Sequence, residues 1–426
     1  MLDIKFILEN KELVEKGFAK KGFSTVSVSD LIDLHLEINK LKTSSQAIAE
    51  EKNRLSNSIK TASSEERPAI ITQSKELGDE LKKEQDELVE LQEKFDNIMM
   101  RLPNLPSDAS PVGRDDSGNV VTRKVGTPRA FDFKPLDHIE LMELNNWSEM
   151  ERIAKVSGSR TYAIKNELSR LELAIHMFVL DKLRDNGFNV ITVPSISKEK
   201  PLYGMGYLPF AKDEIYYLPA DELYLSGTAE LVLNSLHADE ILTENELPVL
   251  YAGFSPCFRR EAGAAGKDTR GLVRVHQFMK TEQFVICKND IEESEKWHQK
   301  LLSLSEEVLK DLELPYQVLE VCTGDMGAPK YRQYDLEAWV PSQGVYRETH
   351  SCSNITDWQA RRTNLRYREN ADGKVKFAHT LNNTGIATPR ALVPFLENHQ
   401  QADGSVKIPE KLRPYMMGVT SIGGKK

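Results

Sequence analysis

Cysteine is scarce in this chain of 426 residues: the four present, Cys257, Cys287, Cys322 and Cys352, stand far apart with no C-x-x-C pair. Such spacing supports neither a disulfide framework nor a zinc knuckle, and the thiols suit a reducing cytoplasm as small buried groups. Long apolar runs are also missing. No stretch approaches the ~20 apolar residues of a membrane span, and the opening MLDIKFILEN mixes charge with short apolar runs, so neither signal peptide nor anchor is expected. The chain has no G-x-G-x-x-G and no G-x-x-x-x-G-K-[ST], which removes support for a Rossmann or P-loop nucleotide site. Nor is there an excess of positive charge. With a formal net charge of -9, any contact with a polyanion must come from a local basic surface rather than bulk attraction. What remains is ordinary globular composition, 40% hydrophobic and 28% charged, in a chain long enough for two domains.

Residues 31 to 62 carry apolar side chains at heptad spacing: Leu31, Ile38 and Ile59 on one seam position, Leu34, Leu41, Ile48 and Leu55 on the other. Ser45 and Lys52 break the pattern. The segment TASSEERP interrupts it, with Pro68 suited to the first turn of a new helix. A second run follows through Leu77, Leu81, Leu88, Leu91, Phe95, Ile98 and Leu102. Two long helices joined by a short turn pair antiparallel, so a projecting hairpin over about residues 30–102 is expected; a dimerising coiled coil is the alternative. Residues 103 to 135, rich in Pro, Gly, Ser and Asp, read as a linker, with a domain boundary near residue 104.

Beyond the linker, helical stretches such as Glu167 to Asn186 alternate with β-rich runs at 189–196, 249–258, 272–287 and 316–322. Several strands follow one another without intervening helices. That order predicts an α+β fold, an antiparallel sheet with flanking helices. The stretch FRREAGAAGKDTRGLVRVHQFMKTEQF (258–284) reads as a β-hairpin around a Gly-rich loop, and alternation would turn Arg274, His276, Phe278, Lys280 and Glu282 to one face. Cations, an aromatic plane and a carboxylate on one face suit ATP. A solvated edge with surface charge pairs would look the same.

F-R-R-E-A-G together with G-L-x-R-x-H-Q-F resembles motif 2 of the class II aminoacyl-tRNA synthetases in its seryl form. TLNNTGIATPRALVPFLENHQ (380–400) resembles motif 3, and GFNVITVPSISK (187–198) motif 1 with its proline at Pro194. SGTAEL (226–231) and YRETHSCSNITDWQARR (346–362) look like the family's serine loop and metal-binding strand. The resemblance implies an N-terminal tRNA-binding domain over residues 1–103 and a catalytic domain over 104–426, with motif 1 near 167–198 and motif 2 near 254–284. It implies ATP-dependent attachment of L-serine to tRNA(Ser), with tRNA(Sec) as a further acceptor, through a seryl-adenylate, by a cytoplasmic homodimer that does not enter a membrane.

Carried over residue by residue, the resemblance gives Arg259 the α-phosphate and the serine carboxylate, Glu261 the adenine amino group, Phe278 one face of adenine, and Arg390 the other face and the γ-phosphate. Arg260 and Arg274 join the ATP site, with the backbone around Val275. Glu348 and Ser351 would hold Mg²⁺, with Thr349 and His350 on the same strand. Serine would lie between Thr228, Ala229 and Glu230 on one side and Glu282, Asn382 and Thr384 on the other. Arg259, Glu348 and Arg390 would carry the catalysis. On the hairpin, Lys40, Arg54 and Lys60 lie on a cationic face of the first helix, whereas the second carries acids including Glu76, Glu80 and Glu84; the resemblance makes the first face the tRNA contact, and a solvated helix face is the alternative. For dimerisation the resemblance points to the helix leading into motif 1, with Leu171, Ile175, Phe178 and Val179 as its apolar face. Competing functions are a catalytically silent relative that only binds tRNA, and a ligase that passes an amino acid to a carrier protein.

Overall fold

The computed structural model describes residues 1–23, 27–264, 270–370 and 372–424. The Gly-rich tip of the hairpin at 265–269 lies outside the described residues. The chain forms two compact units, one of Leu2–Ala19 and Phe23–Pro103, the other of Met1, Lys20–Gly22 and Asn104–Lys426.

The first unit is dominated by two long helices, α1 (Val28–Ser58) and α2 (Arg67–Met99), of 31 and 33 residues, each roughly 50 Å at ~1.5 Å per residue. The Ser27 side chain caps α1 by accepting from Asp30 N, and Pro68 sits in the first turn of α2, where its missing N–H costs nothing. Leu31, Ile38 and Ser45 are buried along the α1 seam. Both breaks in the heptad have partners on α2. Ser44 and Ser45 each donate to Glu84 at 2.8 Å, and Gly78 leaves room for Lys52, whose Nζ would stand 3.2 Å from a Cβ there. Glu84 therefore turns toward the seam rather than outward with the other acids of α2, because two hydroxyls there satisfy its carboxylate.

The second unit is built on eight strands: β1 (Val120–Val125), β2 (Asn189–Thr192), β3 (Val249–Phe258), β4 (Gln277–Cys287), β5 (Tyr316–Glu320), β6 (Arg332–Val340), β7 (Val345–Thr356) and β8 (His379–Thr388). Their order is β1-β5-β6-β7-β8-β4-β3-β2, antiparallel throughout except for the parallel β2–β3 pair. One face packs on α3 (Asn166–Asp185) and α4 (Ile291–Asp311), burying Leu171, Ile175 and Val179 with Leu301, Leu304 and Val308 against Val318, Leu336, Cys352 and Ile386. Motif 3 ends in α5 (Leu392–His399), which Arg390 precedes.

Three expectations change. The segment read as a linker contains β1, an edge strand formed by the β-branched run Val120-Val121-Thr122 that the surrounding Pro and Gly obscure. The motif 2 return strand begins at Gln277, so Arg274 and His276 precede it and only Phe278, Lys280 and Glu282 share its face. Leu171, Ile175, Phe178 and Val179 are buried in this unit's own core, because a sheet face lies directly against them; Leu173 and Met177 are the exposed apolar residues of α3.

Two β-bulges shape the open face of the sheet. Leu336 pairs with His350 but Glu337 with Glu348, which leaves Thr349 as an extra residue on β7. Likewise Thr384 pairs with Glu282 but Ile386 with Thr281, leaving Gly385 extra on β8. Each extra residue shifts the two-residue alternation by one.

Candidate active site

A cavity of about 350 Å³ opens on the face of the sheet away from α3 and α4. Of the residues proposed from sequence, Thr228, Glu230, Arg259, Glu261, Val275, Phe278, Glu348, Thr349, Ser351, Asn382, Thr384 and Arg390 line it. The bulges explain part of this gathering. Strict alternation would point Glu348 away from Ser351; with Thr349 inserted, all three reach the same cavity. Gly385 does the same for β8, so that Ala387 follows Asn382 and Thr384 into the lining. A side chain at 385 would meet Thr281 O at 3.0 Å.

One end of the cavity is a cluster of buried ionisable groups. Lys280 forms an ion pair with Glu282 and donates to Thr228 Oγ1 at 3.1 Å, while Thr228 Oγ1 donates to Glu282 at 3.2 Å. Glu230 accepts from Asn382 Nδ2 at 2.7 Å and Gln359 Nε2 at 2.8 Å. Burial, and then the Glu282 carboxylate, push Glu230 up to about 7. Burial is the largest influence on the Lys280 ammonium and works against it, but Glu282 and Cys257 together hold the lysine above its ordinary range.

The other end is cationic and aromatic. The Arg259 guanidinium stands over the Phe278 ring, 5.3 Å from its centroid. Arg390 donates to Val273 O at 3.3 Å, and its Nη1 lies 3.6 Å from the half-exposed Glu348 carboxylate. Glu261 takes a left-handed φ of 53°, a conformation uncommon outside glycine and frequent at binding sites, and pairs with Arg274 at 3.2 Å. Arg274 lines a second cavity of about 370 Å³ that shares Arg259, Glu261 and Tyr207 with the first.

Ala229, Arg260, Glu282 and His350 are outside the lining of the first cavity. Ala229 is buried under the loop and Arg260 is exposed to solvent. Glu282 reaches the site through Thr228. His350 is buried with both ring nitrogens engaged, Nε2 by Gly385 O at 3.0 Å and Nδ1 by Thr349 Oγ1 at 2.8 Å, and burial lowers it to about 4. It thus joins the two bulges. Sequence reasoning assigned no role to Gln359, Lys330 or Tyr207, although Gln359 stands inside a stretch quoted for its resemblance. Lys40 and Arg54 are exposed on α1, with Arg54 paired to Glu51 at 2.7 Å, whereas Lys60, expected on the same helix, is exposed in the turn that follows because the helix ends at Ser58.

Residues 1–106 match the family model described as the seryl-tRNA synthetase N-terminal domain, and residues 217–399 that of the tRNA synthetase class II core domain (G, H, P, S and T). A serine--tRNA ligase of Deinococcus radiodurans is 48% identical over 99% of both chains. The seryl-tRNA synthetase of Pyrococcus horikoshii, solved with ATP, superposes with a TM-score of 0.93 at 40% identity over 100% of both chains. The cytoplasmic serine-tRNA ligase of Naegleria fowleri, solved with AMP, gives 0.89 at 29% identity over 100% of this chain and 99% of that one. With both family models matched in order and relatives aligned end to end, this chain belongs to the seryl-tRNA synthetase family of class II aminoacyl-tRNA synthetases.

Proposed function

We propose that the cavity activates L-serine with ATP and passes it as seryl-adenylate to a terminal ribose hydroxyl of tRNA(Ser), with tRNA(Sec) a second acceptor. The observation that carries this reading is the cavity's polarity: two buried carboxylates at one end for an ammonium, and arginines beside an aromatic ring at the other for a nucleotide. The relatives solved with ATP and AMP support the nucleotide end.

Serine's carboxylate is already a nucleophile at neutral pH, so the first step needs placement and charge neutralisation rather than a general base. Glu230 and Glu282 receive the ammonium, and Asn382 and Thr384 border the side chain. Arg259 lies where it can bridge the serine carboxylate and the α-phosphate. The carboxylate oxygen bonds to the α-phosphorus as the bond to pyrophosphate breaks; the ribose hydroxyl oxygen then bonds to the acyl carbon as the bond from that carbon to the phosphate oxygen breaks, and AMP leaves with the hydroxyl proton on its phosphate. Phe278 and Arg390 bracket the adenine.

Glu348 and Ser351 present only oxygen donors to the cavity, and such a set fits Mg²⁺, a hard cation. When bound, that ion offsets phosphate charge. We assign residues 1–103 to tRNA binding, with Lys40, Arg54 and Lys60 on the contact face, and residues 104–426 to catalysis in the cytoplasm. Leu173 and Met177, one turn apart and each more than half exposed, support a homodimer through α3. ATP–pyrophosphate exchange across a panel of amino acids tests the reading: serine should support exchange, and equal exchange with alanine or threonine would overturn it.

A further inference from the structure

Gly327–Lys330 forms one wall of the cavity. Its outer side is held at three successive carbonyls. Lys21 donates to Ala328 O at 2.9 Å and Lys330 O at 2.8 Å, and Asn104 Nδ2 donates to Pro329 O at 3.0 Å. On its inner side the Lys330 ammonium donates to Gln333 Oε1 at 2.8 Å. An ammonium has no acceptor, so this contact fixes which end of the Gln333 amide faces it. The amide nitrogen then points the other way, donating to Asp335 Oδ1 at 2.7 Å and Ser351 Oγ at 3.0 Å. Ser351 is the cross-strand partner of Asp335, so the one amide nitrogen ties the two side chains together. The Ser351 hydroxyl oxygen thereby accepts a bond from Gln333, which fixes how that oxygen faces the cavity.

We propose that Lys330 and Gln333 are positioning residues that orient the Ser351 oxygen toward the divalent cation accompanying ATP. The proposal rests on the reading of Glu348 and Ser351 as oxygen ligands, and it extends the site to a wall to which the sequence motifs assign no role. Groups that hydrogen-bond a metal ligand fix its direction and its basicity, and their loss typically lowers metal affinity by ~10- to 100-fold. Glu348 is placed separately, beside Arg390, so binding is weakened rather than abolished.

The test measures Mn²⁺ binding to the full-length protein by the electron paramagnetic resonance signal of the free ion, with a non-hydrolysable ATP analogue bound. Gln333→Met keeps length and removes both donors, and it should weaken Mn²⁺ by about tenfold while leaving metal-free binding of the analogue as in the wild type. Lys330→Met, on the partly exposed cavity wall, frees the amide to flip and should shift Mn²⁺ affinity in the same direction, so the proposal remains open to refutation if Gln333→Met does not fold. Unchanged Mn²⁺ affinity in either folded variant overturns it. Glu348→Gln separates the two readings: wild-type Mn²⁺ binding in that variant would mean that the ligands themselves are misassigned.

Discussion

Glu230 and Glu282 stand at one end of a cavity that also buries Lys280, giving two carboxylates and one ammonium before any substrate arrives. A serine ammonium would restore the balance, and the position of Glu230 near 7 gives that step a pH dependence. A folded-state value above the ordinary carboxylate range means that the empty protein binds an extra proton, so ionising Glu230 costs folding stability as pH rises toward 7. Serine binding runs the opposite way, because the ammonium requires the carboxylate. Apparent serine affinity should therefore fall by up to about tenfold per unit below pH 7 and level off above it. Calorimetric titration between pH 5.5 and 8 checks this, and Glu230→Gln should flatten the profile. At the other end, Arg259→Ala removes the guanidinium proposed to link the two reacting groups, and exchange should drop by ~10²-fold or more; exchange near wild type would refute the role.

Strand 249–258 is legible from alternation, as is its return partner except for its start, read at 272 and found at Gln277, and the helix pair is legible from its heptads. The phase shifts are not. Residue parity sets Glu348 and Ser351 on opposite faces, and only the extra Thr349 brings them together, a register event with no local composition signal. The same holds for Gly385, whose glycine is explained by backbone approach in the folded sheet. Lys330 lies in a short irregular segment ahead of β6, where periodicity gives no direction, and Gln333 is only the second residue of that strand. Gly385→Ala should displace Thr281 or β8, so exchange should fall together with thermal stability, measurable by calorimetry; a fully active, equally stable variant would show the bulge to be dispensable. Reversing Lys40 and Arg54 on α1 and Lys60 in the turn after it to Glu should weaken tRNA binding and flatten its salt dependence by about 0.9 per lost phosphate contact. An unchanged slope would return that face to solvent.

For the whole molecule, the division of labour has a direct consequence. Every proposed ATP and serine ligand lies beyond residue 225, so deleting residues 35 to 95 with a short closing linker should leave serine-dependent exchange largely intact while tRNA charging collapses. Sedimentation at micromolar concentration should give a dimer, and a monomer would remove the role proposed for Leu173 and Met177. The cavity wall draws on chain positions from Met205 to Arg390, brought together only when β8 has joined its neighbours. A ligand that needs the assembled sheet selects the native state, so ATP or serine should add about 2.7 kcal/mol of stability at one hundred times its dissociation constant. Added ATP or serine should therefore slow cleavage of the purified protein by a protease, because the ligand depletes the opened chain on which the protease acts.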